Sequence, residues 1–250
     1  MSRPAGQVPF GYSRVGADEK KRLVRETFTP IAATYDRADA VLSLGLHFLW
    51  KRATVRALRL RPGDKVLDIC GGTADLALGA ARRLGPTDQV VVCDFNRPMM
   101  DRGLAKSRRS RNGAIVTFVQ GDAEKLPFPD RSFDAITVGF GLRNLVDLDR
   151  GLREIGRVLK PGGRFAGLEF TLPRRRWQRS LYSFYSFRVM LPAARLITGT
   201  EGPFRYLAES IRVFAATEDI PGGLVRAGLT EVKSRPLSLG LATIYSGLKS

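Results

Sequence analysis

Three acidic residues close three successive apolar runs of this chain: Asp68 in "KVLDIC", Asp94 in "QVVVCDFN" and Asp122 in "AIVTFVQGD". Between the first two, "CGGTADLA" places Gly71, Gly72 and Thr73 ahead of a helical segment. A strand, a tight glycine turn and a helix N-terminus together cradle the anionic part of a nucleotide-like ligand. The dinucleotide fingerprint G-x-G-x-x-G is absent, and no Walker lysine follows the glycines. Acids flank the turn instead, Asp68 before it and Asp75 after it. Carboxylates repel a pyrophosphate but suit a ligand with an ammonium and a sulfonium, which is S-adenosylmethionine; its carboxylate can still use the helix N-terminus after Gly72. Asp94 lies 22 residues beyond Gly72, close to the roughly 20 expected of an acid that holds ribose hydroxyls. Asp122 is placed to accept a hydrogen bond from the adenine amino group. Singly, each acid reads as well as a turn residue or helix cap. Their repetition at three successive strand ends points to the cofactor.

A second constellation is "GFGLRNLVD", Gly139 to Asp147, directly after the apolar run "FDAITV". Gly139 and Gly141 let backbone and ligand approach closely. Arg143 and Asn144 then form a donor pair that can meet a developing negative charge. The alternative is structural: Arg143 pairs with Asp147 or Asp149 and caps the following helix.

The elements that must position these residues alternate. From Arg22 to Leu58 the pattern predicts helices with a break near "ATYDRAD". Strands are expected at Lys65 to Cys70, Gln89 to Asn96, "AIVTFVQGD", "FDAITVGF" and "RFAGLEF". Helices are expected after Gly72, over "RPMMDRGLAKSRR" with Pro98 in its first turn, and over "DLDRGLREIGRVLKPGG", closed by Pro161, Gly162 and Gly163. "WQRSLYSFYSFRVMLPAARLI" is aromatic-rich and helical, and strands near Leu229 to Pro236 and Ala242 to Leu248 can close the far edge of the sheet. Strands apolar on both faces, alternating with helices, predict an α/β fold with a doubly wound, mostly parallel seven-stranded sheet. Residues 1–20, rich in Gly, Pro and charge, read as a mobile tail. Residues 21–250 read as one domain, with N-terminal helices over about 21–60 and a helical insertion over about 174–215 as a substrate cap.

The 250 residues suit one large domain, and 44 % hydrophobic residues suffice for a full core. Cys70 and Cys93 read as small buried hydrophobes: two cysteines make no disulfide framework, and no metal-ligand spacing is present. No apolar run approaches the roughly 18 residues of a membrane span, and the first residues lack a signal-peptide h-region. A cytoplasmic location follows as the expectation. The net charge of +17 favours polyanions, either nucleic acid or the anionic face of a bilayer, unless it is only a generally basic surface.

Several stretches together resemble the ubiquinone/menaquinone biosynthesis C-methyltransferases, within the class I S-adenosylmethionine-dependent methyltransferases. They are "SLGLHFLWKR", "VLDICGGTADLAL", "GDAEKLPFPDRSFDAITVGFGLRN", "RVLKPGGRF", "LEF" and "FRYLAESI". The resemblance runs from about Phe28 to the C-terminus. It implies cofactor contacts at Thr73, Asp94, Asp122 and Ala123, with Gly139 in a matching position, beside the contacts read above at Asp68 and Gly71. Three positions depart from the family pattern: Ala74 stands where glycine is usual, Asp122 where asparagine is frequent, and Gly139 where serine is frequent.

The implied reaction is methylation of a ring carbon of a reduced polyprenyl quinone precursor, demethylmenaquinol first. A benzoquinol of the ubiquinone pathway, a phospholipid amine or RNA are the alternatives. A ring carbon becomes nucleophilic when the neighbouring hydroxyl ionises, and a phenol has a pKa near 10. Arginine stays protonated and is a poor base. Arg143 is therefore expected to hold the quinol oxygen as an oxyanion, with Asn144 as a second donor and a water or Asp122 taking the proton. His47, the only histidine, and Tyr35 are candidates for substrate contact. Leu181, Phe184, Tyr185 and Met190 are candidates for the wall of a groove for the prenyl tail. The adjoining cluster Arg174 to Arg176 can hold the protein on anionic headgroups, so a peripheral place on the inner face of the cell membrane is expected, and a homodimer is admitted.

Overall fold

The computed structural model describes residues 6–250. One seven-stranded sheet carries the fold. β3 (Lys65–Ile69), β4 (Gln89–Asp94), β5 (Val116–Gln120), β6 (Phe133–Gly139) and β7 (Leu159–Phe170) run parallel. β9 (Ala242–Lys249) lies antiparallel between β7 and β8 (Leu229–Leu237), giving the order β5-β4-β3-β6-β7-β9-β8. The chain moves outward from β3 to β5 and returns to β6. The order therefore reverses between β3 and β6, and the crevice for a ligand opens above their carboxyl ends.

Alternate residues of each central strand serve opposite layers. Leu67, Ile69, Val91, Cys93, Ile136 and Val138 pack with Leu152 and Ile155 of α6 (Leu148–Val158) and Leu224 of α10 (Ile220–Arg226). On the other face, Val66, Val90, Val92 and Ala135 meet Ala77, Ala80 and Ala81 of α4 (Asp75–Ala81) and Val55 of α3 (Leu46–Ala57). The small alanines bring α4 close to the strands and set its N-terminus over the crevice. α5 (Arg97–Ser107) has Pro98 in its first turn, and Asn96 caps it by accepting from the Met99 N–H at 3.2 Å.

Four boundaries differ from expectation. Residues 6–20 are not a tail; residues 1–5 lie outside the described part. Gln7–Phe10 (β1) and Ser13–Gly16 (β2) pair as a hairpin, and the Phe10 ring stacks on Tyr206 at 4.3 Å. One buried aromatic contact anchors what composition reads as a linker. The helical break falls at 29–34, after α1 (Ala17–Phe28), because Pro30 cannot donate the next helical hydrogen bond. Tyr35 opens α2 (Tyr35–Leu42) instead of lying in the break. A second break separates α2 from α3, where Leu44 and Gly45 have φ of 51° and 75°. Finally, "KPGG" does not close α6. That helix stops at Val158, Pro161 steers Lys160 out of helical geometry, and the glycines form a bulge in β7 between the pairs Phe133–Leu159 and Ala135–Arg164.

A second layer sits over the crevice. α7 (Arg176–Phe184) passes through a π-helical turn, Tyr185–Met190, into α8 (Leu191–Thr198), and α9 (Gly202–Thr217) returns across it. Ile31, Ala38, Met190, Leu191, Ala194, Phe204 and Ala208 make a small core between these helices and α2. No helix among the described residues is long and apolar enough to cross a membrane.

Candidate cofactor cleft and active site

The turn after β3 is forced into an unusual path. Cys70, Gly72 and Ala74 have φ of 53°, 46° and 65°. Glycine takes this left-handed backbone freely, but a residue with a Cβ costs roughly 1–2 kcal/mol there. Strain of this kind persists where surroundings over-determine it, typically at ligand sites. Here the Gly72 N–H donates to Asp94 Oδ2 at 2.9 Å and the Asn96 N–H to Asp94 Oδ1 at 2.8 Å, so one carboxylate ties both turns together. Ala74 thus adopts the conformation for which glycine is usual.

The three acids of this region have separate electrostatic fates. Burial pushes the Asp94 carboxyl up to about 6. Burial pushes Asp68 up to about 8; its Oδ2 accepts from the Ala77 N–H at 3.0 Å, while Oδ1 is buried with no partner. Burial would raise Asp75 too, but Lys51 at 2.8 Å and Lys106 at 2.6 Å outweigh it and hold that carboxyl at about 2. Asp75 is already neutralised; Asp68 is not. A narrow cleft of about 90 Å³ runs past Asp68, Gly71, Thr73, Asp94 and Gly139, with Val24 and Phe28 of α1 as its outer wall. An orphaned carboxylate oxygen and a second buried acid beside a glycine turn suit the ammonium and ribose of S-adenosylmethionine. A serine at Gly139 would require the tip of Leu76 to shift, since an added Cβ would meet Leu76 Cδ1 at 2.7 Å.

Two results are expected. Only the ionised forms of Asp68 and Asp94 attract a cationic ligand, and both carboxyls are raised in the free site. Cofactor affinity should therefore fall as pH drops, by roughly tenfold or more between about pH 8 and about pH 5. Calorimetry showing a flat profile would remove Asp68 from ammonium recognition. Asp94→Ala should weaken cofactor binding by roughly 1.5–3 kcal/mol, because a charge-assisted acceptor for two hydroxyls is lost. Unchanged affinity would take Asp94 out of the site.

Arg143 and Asn144 lie in a 3₁₀ turn, Leu142–Asn144, just past β6. Arg143 is 5 % exposed and walls both the cleft and a neighbouring apolar cavity of about 420 Å³. It does not pair with Asp147 or Asp149. Asp147 caps α6 by accepting from the Arg150 N–H, and Asp149 pairs with Arg226 at 2.7 Å. The partner is Glu169 near the end of β7: Arg143 Nη1 donates to Glu169 Oε1 at 2.9 Å and also to the Phe140 carbonyl. Burial opposes the guanidinium charge, but Glu169 outweighs it and raises the Arg143 pKa. Nε is buried without a partner, and Nη2 makes no hydrogen bond, which leaves a charged donor. Asn144 Oδ1 accepts from the Tyr206 hydroxyl at 3.0 Å, so its NH2 group is available to donate. Burial pushes Tyr206 up to about 12, which keeps it protonated for that task. Tyr35 walls both cavities.

The remaining candidates are placed differently. Asp122 is not in the cleft wall; Lys21 of α1 donates to it at 2.6 Å. Burial would raise its carboxyl, but Lys21 outweighs burial and lowers it, so Asp122 is a poor proton acceptor. Ala123 packs against the main core. His47 is 1 % exposed and walls neither cavity. It bonds Ser43 Oγ at 2.7 Å beneath the α2–α3 turn, and burial lowers its pKa. Phe184 is 60 % exposed and lies outside the cavity, whereas Leu181, Tyr185 and Met190 line it. Glu169 and Tyr206 were not singled out as functional from the sequence. An acid inside the apolar run "RFAGLEF" was the available signal, since a buried charge needs a partner; Tyr206 gave none.

A model of the ubiE/COQ5 methyltransferase family matches residues 15–249. The ubiquinone/menaquinone biosynthesis C-methyltransferase UbiE of Pseudomonas putida is 43 % identical over 240 residues, covering 96 % of this chain and 94 % of that protein. The UbiE of Saccharophagus degradans is 41 % identical, covering 96 % of each. Among solved structures, a SAM-dependent methyltransferase from Aquifex aeolicus aligns with a TM-score of 0.55 at 18 % identity, over 80 % of this chain and 89 % of that one. A putative S-adenosyl-L-methionine-dependent methyltransferase from Methanococcus maripaludis aligns with a TM-score of 0.59 at 17 % identity, over 88 % and 92 %. These two likenesses establish the shared fold.

Proposed function

Since the chain belongs to the ubiE/COQ5 methyltransferase family, we propose that its acceptor is a polyprenyl quinol, demethylmenaquinol first, held in the cavity beyond Arg143 and methylated on a ring carbon. The chain is an S-adenosylmethionine-dependent C-methyltransferase of quinone biosynthesis. The observation that carries the acceptor reading is Arg143, whose buried side chain walls both cavities and commits only Nη1 to structural hydrogen bonds.

S-adenosylmethionine, when bound, supplies a methyl group on a positive sulfur. Asp68, Thr73 and Asp94 would hold it in the cleft. The quinol ring lies against Arg143 and Tyr35, with its tail among Leu42, Leu46, Leu181, Tyr185, Met190 and Phe204. The Arg143 guanidinium, through Nη2, and the Asn144 amide donate to the ring hydroxyl beside the reacting carbon. Their positive field lowers the hydroxyl pKa from its ordinary value near 10, and a water takes the proton; after the methyl arrives, the ring carbon gives up its own hydrogen to water as a proton and the oxygen regains one, restoring the aromatic quinol. Glu169 fixes the guanidinium and Tyr206 fixes the amide, so neither donor reorganises as charge develops. A benzoquinol of the ubiquinone pathway presents the same hydroxyl and would be handled by the same donors. The helices over about 174–215 cap this cavity, and a substrate with a prenyl tail brings the enzyme to an anionic membrane surface.

The redox state of the acceptor tests this. A short-tailed naphthoquinol should yield a product whose labelled methyl is bonded to a ring carbon by ¹³C NMR. The oxidised quinone, with no ionisable hydroxyl, should yield none. An O-methyl product, or equal reaction of the quinone, would overturn the assignment.

A further inference from the structure

The apolar cavity opens through a rim of exposed apolar side chains. Leu44 is 80 % exposed, Leu239 75 %, Leu181 61 % and Trp177 59 %, and all four line the cavity. They come from three separate places: the α2–α3 turn, α7, and the turn between β8 and β9. Leu44 and Leu239 both sit in left-handed backbone, with φ of 51° and 61°. Leucine has no polar side chain to offset that strain, and two such exposed side chains gain little from packing in return. The second turn is nevertheless braced. Trp50 Nε1 donates to Ser238 Oγ at 2.9 Å, and Thr171 Oγ1 donates to the Gly240 carbonyl at 2.8 Å. Leu239 is therefore held out by design of the turn.

α7 continues the surface. Trp177, Leu181 and Phe184 fall on one helical face, and no residue of this helix is buried. Immediately before Trp177 stand three consecutive exposed arginines, Arg174, Arg175 and Arg176. Aliphatic tips beside a basic cluster are the pattern of an interfacial lipid anchor. RNA would stack its bases on aromatic faces such as Trp177 and Phe184, but the two strained tips here are leucines and the rim opens on an apolar cavity.

We propose that this rim docks on an anionic phospholipid bilayer. Leu44, Leu239, Leu181 and Trp177 enter the boundary between headgroups and acyl chains, and Arg174, Arg175 and Arg176 meet the lipid phosphates. The mouth of the cavity then opens into the lipid, and a prenyl tail passes from bilayer to cavity without crossing water. The proposal rests on the reading of the cavity as a quinol site and adds the face that meets the membrane and the route of the tail.

The test uses the full chain with vesicles of phosphatidylcholine containing phosphatidylglycerol, vesicles of phosphatidylcholine alone, and RNA. Leu44→Glu with Leu239→Glu should weaken binding to anionic vesicles by roughly tenfold or more, while unchanged S-adenosylmethionine affinity shows that the chain is folded. Arg174→Glu, Arg175→Glu and Arg176→Glu together should weaken it by on the order of 100-fold. That variant should retain methyl transfer to a short-tailed quinol in detergent. Rising salt should weaken the wild-type complex, because exposed charge is screened within about 8 Å at physiological ionic strength. Wild-type affinity in both variants, equal binding to neutral vesicles at high salt, or preference for RNA would overturn the docking face. So would a fall in oligomeric mass of the leucine variant with vesicle binding intact, which would assign the rim to a second copy. Failure of the quinol reading shows separately, as absence of methyl transfer in detergent.

Discussion

Arg143→Lys is expected to lower turnover by roughly 100-fold or more at neutral pH, the scale of losing one oxyanion donor, with cofactor affinity unchanged. Lysine keeps the charge and can keep the ion pair with Glu169. It has one nitrogen, however, and cannot hold Glu169 and the Phe140 carbonyl while presenting a second donor to the quinol oxygen. Arg143 does both, because Nη1 makes the structural bonds and Nη2 makes none. The deficit should shrink as pH rises toward about 10, where the quinol ionises without help. Comparing kcat of the two proteins across pH reads this directly. Near-normal turnover of the variant at neutral pH would leave Arg143 as a structural residue of the turn.

Glu169→Ala is expected to destabilise the protein by about 3–5 kcal/mol, because it leaves a buried guanidinium without its counter-charge. Glu169 is fully buried, and it also accepts from the N–H groups of Arg143 and Phe170, at 3.2 and 2.9 Å. For a chain of this length that corresponds to a fall in Tm of roughly 6–20 °C. Replacing both partners together, Arg143→Met with Glu169→Leu, should recover much of the loss, since no unpaired charge then remains. Thermal and urea unfolding of the three variants decide it. A single variant within about 1 kcal/mol of wild type would mean that Arg143 finds its compensation elsewhere.

Much of the sheet is legible in the sequence. Runs such as "VVVC" and "AITV" are apolar at nearly every position because helices cover both faces, and their order places the acids at one edge. Asp68, Gly71, Thr73, Asp94 and Gly139 accordingly come together on one cleft wall. What was not legible depends on contacts distant in sequence. Lys21 reaches Asp122 across 101 residues, Tyr206 reaches Asn144 across 62, and Glu169 reaches Arg143 across 26. No periodicity reports such pairs. The local reading of Arg143 with Asp147 or Asp149 failed for a related reason: a helix start and Arg226 already occupy those acids. The hairpin of residues 7–16 was hidden because its anchor, Tyr206, lies far along the chain.

The most direct measurement is transfer of a labelled methyl group from S-adenosylmethionine to three acceptors offered side by side: reduced polyprenyl quinol, membrane phospholipid and RNA. Label is expected in the quinol fraction of the wild-type reaction, with that signal strongly reduced in Arg143→Lys. Label in phospholipid or RNA with none in the quinol would contradict both the acceptor and the role assigned to Arg143.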